Sequence, residues 1–232
     1  MKKHRSLILF ATAATCAFAF GLVTKLQSAE TERFDSKVRN DFFAGFSGNK
    51  AALERGMKAT EEILARDPKH AEAMVWHGSG VFFQAGDAFR NGDIQKGMDL
   101  SMRGREEMDA AVALAPEHPG VRVPRGATYL TASHYMPPEQ GRPLIALGVA
   151  DYEAARKIQN DEYAGEHPKG ELLFGLADAY SRLGDMEKAA ALFTRIQKEL
   201  PATEYARRAE EWMQTKTLAP EKTQCVGCHV SK

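Results

Sequence analysis

An all-α protein built from stacked helical hairpins is the fold this sequence predicts, and three observations carry it. Between residues 35 and 216 the chain is rich in Ala, Glu, Lys, Arg, Leu and Met and poor in β-branched clusters, which favours helix over strand. Apolar residues recur at spacings of 3, 4 and 7, most clearly at Leu173, Leu176, Ala177 and Tyr180, so they share one helical face. Proline-bearing breaks recur at Asp67-Pro68, Ala115-Pro116 and His167-Pro168, and regular punctuation of this kind marks a chain of repeated units. With 232 residues, 44% hydrophobic and 27% charged, the chain can bury a core of that size. Its formal net charge of +0 supplies no basic field for a phosphate backbone, which argues against a nucleic-acid partner.

Residues 1–29 stand apart from the helical body. Lys2, Lys3 and Arg5 open them, and residues 6–24 then carry no charge. A basic start followed by an apolar run is the layout of a secretory signal peptide. Cleavage has candidate positions after Ala17-Phe18-Ala19 and at Ala29, while a run of this length also suffices for a retained N-terminal membrane anchor. Either outcome exports the body, so the expected location is periplasmic or otherwise exported, free or held at the inner membrane. Cys16 falls inside the run and reads as a small apolar residue of it. Removing the leader takes away Lys2, Lys3, Arg5 and Lys25 and no acid, leaving 27 bases against 31 acids and a net charge of −4.

The elements of the body follow in order. A helix over 51–66 ends at Asp67-Pro68, and the next opens at Ala71 and runs to about Gln84. Pro68 and Pro116 are 48 positions apart, which predicts either an insertion around 87–96 or an extended second helix. A further unit starts near Val121, with Gly126, Ala127 and Tyr129 in its first helix and residues 144–158 in its second. The segment 133–141 (SHYMPPEQG) between them reads as a long loop. Residues 170–201 form the clearest unit: Gly184 breaks it in the middle, Ala189, Phe193 and Ile196 make the apolar face of its second helix, and Pro201 stops it. Residues 202–215, with Tyr205, Ala209 and Trp212 on one face, are the expected capping helix.

The order Leu173, Leu176, Ala177, Tyr180, Gly184, Ala189, Phe193, Ile196, Pro201 resembles the 34-residue tetratricopeptide repeat. The resemblance is specific over this unit and looser over the rest of 35–216. It implies a tetratricopeptide-like stack of three to four helix pairs plus a cap, an interaction scaffold with no chemistry of its own. No nucleotide-binding loop, nucleophile elbow or H-E-x-x-H motif occurs in it, so an enzyme is not expected.

The chemistry is in the tail, residues 217–232, where TLAPEKTQ leads to Cys225-Val226-Gly227-Cys228-His229. C-x-x-C-H is the attachment sequence of haem c. Two thiols three positions apart reach the two vinyl groups of one porphyrin edge, and the following imidazole then sits beneath the iron. The segment resembles a c-type cytochrome over these five residues alone, and the resemblance implies one covalent haem c, thioether anchors at Cys225 and Cys228, and His229 as proximal iron ligand. Three rival readings of the cysteines remain at this point: a disulfide, a dithiol pair, or a zinc site. Only three residues follow His229, so a sixth ligand has to come from elsewhere. Candidates are Met136, beside Pro137 and Pro138, His134 on the same loop, and His77, flanked by the small residues Gly78 and Gly80 that would let a flat macrocycle approach. His70, His118 and His167 sit at unit boundaries and read as helix caps or turn residues. The expected function is electron transfer, or presentation of a haem to a redox partner protein in the cell envelope. The alternatives are a cofactor-free envelope adaptor with a C-terminal disulfide, and a haem-based sensor or enzyme with an open iron site.

Overall fold

The computed structural model describes residues 33–218. Among them are nine helices and no strand: α1 (Phe34–Phe46), α2 (Lys50–Leu64), α3 (Ala71–Arg90), α4 (Ile94–Leu114), α5 (Pro119–Ser133), α6 (Pro138–Ile158), α7 (Glu166–Leu183), α8 (Met186–Glu199) and α9 (Glu204–Thr215). Successive helices pair as four hairpins, and α9 closes the last of them. The all-α hairpin stack expected from the sequence is therefore the fold. Hairpins begin at residues 34, 71, 119 and 166 and the cap at 204, so the units take 37, 48, 47 and 38 residues.

Local signals set the boundaries. Asn49, Asp93, Asp185 and Thr203 each cap a helix, their side-chain oxygens accepting from the N–H groups of Ala52, Lys96, Lys188 and Ala206 at 3.1 to 3.3 Å. His70 and His118 do the same through Nδ1, toward Ala73 and Gly120, in line with the capping role expected of them. Gly184 turns α7 into α8 at φ 90°, a left-handed conformation that costs glycine little.

Of the two alternatives for the 48-residue unit, helix extension is found and an insertion is not: α3 and α4 run 20 and 21 residues, because nothing breaks the first before Gly92 at φ 79°. The segment 133–141 is not a long loop either. Pro138 occupies the first position of α6, where its missing N–H has no helical partner to lose, so only four residues separate α5 from α6.

The core is two apolar clusters that meet along α5 and α6. One gathers Phe34, Phe42, Trp76, Met108, Val121, Tyr129 and Leu144; the other gathers Leu130, Ile145, Tyr152, Leu173, Phe193 and Trp212. Neighbouring residues of α5 (Tyr129, Leu130) and of α6 (Leu144, Ile145) belong to different clusters, so burial continues through the stack. Helices α3 and α4 touch backbone to backbone at Gly78 and Gly104. A Cβ on Gly104 would lie 2.7 Å from both the Gly78 carbonyl oxygen and the Phe82 nitrogen, and backbone cannot swing aside as a side chain can. Gly104→Ala is expected to destabilise the fold by about 1–3 kcal/mol, read as a lower urea midpoint with an unchanged m-value. An unchanged midpoint would show that the two helices can separate at no cost.

Glu204 opens α9 and holds both Arg207 and Arg208. Its carboxyl is pulled from an ordinary 4.5 to about 2, chiefly by the hydrogen bond from Arg207, with burial opposing and Arg208 assisting. A lowered folded-state value means the stabilisation is present above the ordinary carboxylate range and is lost as pH falls toward about 2. The wild type should lose more urea resistance than Glu204→Gln between about pH 5 and about pH 3. The difference will be small because the Glu204 side chain is 39% exposed.

Candidate functional site

The motif Cys225, Cys228, His229 lies outside the described residues, and so does the leader. What the structure does supply is the surface from which the motif departs. Helix α9 is held by Trp212, 1% exposed, whose ring stacks on Phe193 at 4.6 Å and 30°. Its Nε1 donates to Ser181 Oγ at 2.8 Å. Lys216, in a left-handed conformation at φ 59°, ends α9 and places Nζ 4.7 Å from the centroid of the same indole. Leu218 then packs against the second apolar cluster. The last described residue is thus anchored, and seven residue steps separate it from Cys225, a reach of about 25 Å at most.

The donor set in the tail fits haem c. Cys225 and Cys228 would hold the group through their two thiols, and His229 would supply a nitrogen to its iron. Bound there, the group would supply one-electron redox chemistry. Among the described residues, no cluster of three or more His, Cys, Asp or Glu is placed to hold a metal ion.

The three distal candidates occupy different surroundings. His77 on α3 is buried, with Nδ1 2.7 Å from Glu107 Oε1 on α4 and Nε2 3.6 Å from Glu61 Oε1 on α2. Carboxylates of two helices therefore face its two nitrogens. The glycines beside it do not open a slot for a macrocycle: the space beside Gly78 is taken by Gly104 and Met108, and that beside Gly80 by Met57 and Phe42. His134, just past α5, sets Nε2 3.0 Å from Asp178 Oδ2, and Arg182 approaches the same oxygen at 3.5 Å. Met136 is half-buried against the first apolar cluster.

No protein-family model and no curated protein matches this chain.

Polar groups within the α5–α6 hairpin, and between it and the α3–α4 hairpin, form a second feature that no local sequence pattern marked. Asp151 on α6 is 0% exposed and accepts from Arg122 at 2.9 Å and from Arg125 Nε and Nη2 at 2.7 Å, both on α5. Arg125 also donates to Asp109 on α4 at 2.8 Å, and the Tyr129 hydroxyl donates to that same carboxylate at 3.1 Å. Burial first, and Asp109 next, push the Tyr129 phenol well above its ordinary range, so it stays a donor. Ser79 and Thr128 join α3 to α5 at 3.0 Å. The Asp109 and Ser79 contacts fix how the α5–α6 hairpin sits on α3–α4, while Asp151 ties α5 to α6. A third feature is exposed apolar surface at one end of the α3–α4 hairpin. These helices are about 30 Å long, while α2 and α5, at 15 residues each, reach about 22 Å. Phe89, Ile94, Met98 and Met102 are left exposed, the last three spaced by four along α4. Among the described residues no helix is long and apolar enough to cross a membrane.

Proposed function

We propose that this protein is an exported c-type haem protein that transfers electrons, with the helical hairpins as the scaffold that docks a redox partner. The observation that carries the reading is the pentapeptide Cys225-Val226-Gly227-Cys228-His229 behind an export-type leader. Haem c is attached after export, and the leader gives both cysteines a compartment in which that happens. In this reading Cys225 and Cys228 hold the haem through thioethers and His229 binds the iron from one side. The hairpin stack is of the tetratricopeptide kind and presents the haem to a protein of the cell envelope. Exposed Ile94, Met98 and Met102 support the docking half of the reading, since contiguous apolar surface on a folded body marks interaction sites.

The test is expression together with a haem c maturation system, followed by an absorbance spectrum and a denatured mass. The wild type should gain the mass of one haem, resistant to denaturant, and show a Soret band. Cys225→Ala with Cys228→Ala should lose both. A wild-type chain that leaves a competent maturation system without the added mass overturns the reading.

A further inference from the structure

We propose that the exposed stripe of α4 pairs with the same stripe of a second copy of this chain, the two α4 helices running antiparallel. In the docking half of the reading above, on which this rests, the stripe is an interaction site; the second copy is what covers it. Ile94, Met98 and Met102 are each more than half exposed, and at spacings of four they form a single ridge along the helix. Phe89 borders that ridge. Its ring lies against Gly97, where a Cβ would come within 2.4 Å of it, so the missing side chain lets the ring rest on α4.

A two-fold axis through Met98 makes the ridge complementary to itself. In an antiparallel pair the residue n positions after Met98 faces the residue n positions before it, so Ile94 of one copy meets Met102 of the other, and the two Met98 side chains meet on the axis. The charges agree with this register. Arg105 lies seven positions past Met98 and so on the same face; it is exposed and makes no hydrogen bond or ion pair among the described residues. Antiparallel pairing sets it against position 91 of the other copy, in the turn between α3 and α4. Asp93 in that turn is exposed, accepts the cap bond from the Lys96 N–H, and has no ion pair among the described residues. The carbonyl end of α3 adds negative potential at the same place, while Arg90 there is already bound to Asp87. Symmetry makes the Arg105–Asp93 approach twice. Parallel pairing would instead set Arg105 against Arg105. Lys96, Asp99 and Arg103 lie about 100° or more round the helix from Met98 and stay in solvent.

Four apolar side chains and two charged ones per copy cover a few hundred Å², less than the roughly 800 Å² per partner of a long-lived complex. The pairing is therefore weak and reversible, with a dissociation constant on the order of 10 μM. It needs no rearrangement: α4 is already locked to α3 at Gly78 and Gly104, so the ridge is preformed, and the two methionines adapt to whatever faces them.

The test uses the exported chain carrying Cys225→Ala and Cys228→Ala, which removes the tail thiols and with them any haem. Sedimentation equilibrium from about 1 to about 200 μM should show the mass rising from one chain toward two. Met98→Glu and Arg105→Glu should each raise the dissociation constant by about ten-fold or more. Both positions are exposed, so the variants should keep the parent's far-ultraviolet circular dichroism. A short bis-maleimide should join Met98→Cys chains faster than Tyr135→Cys chains, although Tyr135 is the more exposed residue. A chain that stays single at about 200 μM, or that cross-links no faster at Met98 than at Tyr135, overturns the pairing. A single chain retained on phosphatidylcholine–phosphatidylglycerol vesicles, and released by Met98→Glu, overturns it as well and gives the stripe to a lipid surface. These results leave the haem reading standing, because the chain tested carries no haem. Failure of the wild type to attach haem overturns that reading and leaves the pairing intact.

Discussion

Replacing Asp151 with alanine should destabilise the protein by about 3–5 kcal/mol, measured from urea unfolding at neutral pH. The carboxylate is 0% exposed and accepts three hydrogen bonds from two guanidinium groups. Removing it leaves Arg122 and Arg125, whose side chains are only 19% and 12% exposed, without their main counter-charge. Arg125 keeps Asp109, while Arg122 keeps only the Pro116 carbonyl. Deleting one partner of a buried ion pair costs more than the pair contributes, because the desolvation of the remaining charge is no longer offset. The same reasoning gives a second arm. Replacing Asp151, Arg122 and Arg125 together by apolar residues of similar size should recover most of the loss, as removing the whole network strands no charge. Asp87→Ala, at an exposed pair with Arg90, should change stability by under about 0.5 kcal/mol. A loss below about 1 kcal/mol for Asp151→Ala would mean that water reaches the arginines between α5 and α6.

Why Asp151 escaped the sequence while the hairpins did not is a matter of range. The faces of α7 and α8 were legible because Leu173, Leu176, Ala177 and Tyr180, then Ala189, Phe193 and Ile196, declare a 3.6-residue period within one helix. Gly184 and the capping histidines act within a few residues of themselves and were legible for the same reason. An Asp on α6 facing two Arg on α5 depends on which faces meet across 26 to 29 positions, and no local pattern encodes that. Helix ends erred where punctuation was ambiguous. Pro138 reads equally as a loop residue or as the first residue of a helix, and the absence of a breaker between Gln84 and Gly92 let α3 run on. The tail motif C-x-x-C-H is likewise a local pattern, legible within five residues. His77 and His134 looked available in one dimension and face carboxylates in three.

Trp212→Ala should cost about 3–5 kcal/mol and should do so unevenly along the stack. The indole is 1% exposed, stacks on Phe193 and bonds Ser181, so its removal opens a void between α7, α8 and α9 that their backbones cannot collapse to fill. Trp212→Phe keeps much of the stacking area and loses the bond to Ser181, so it should cost about 1–2 kcal/mol. In a stack where each hairpin rests on its neighbours, a terminal cap can detach while the rest stays folded. Hydrogen exchange should therefore show the amides of α9 losing protection first in Trp212→Ala, while those of α3 and α4, locked at Gly78 and Gly104, keep theirs. Amides of α3 and α9 falling together in Trp212→Ala would instead show one cooperative unit, in which the cap cannot open on its own.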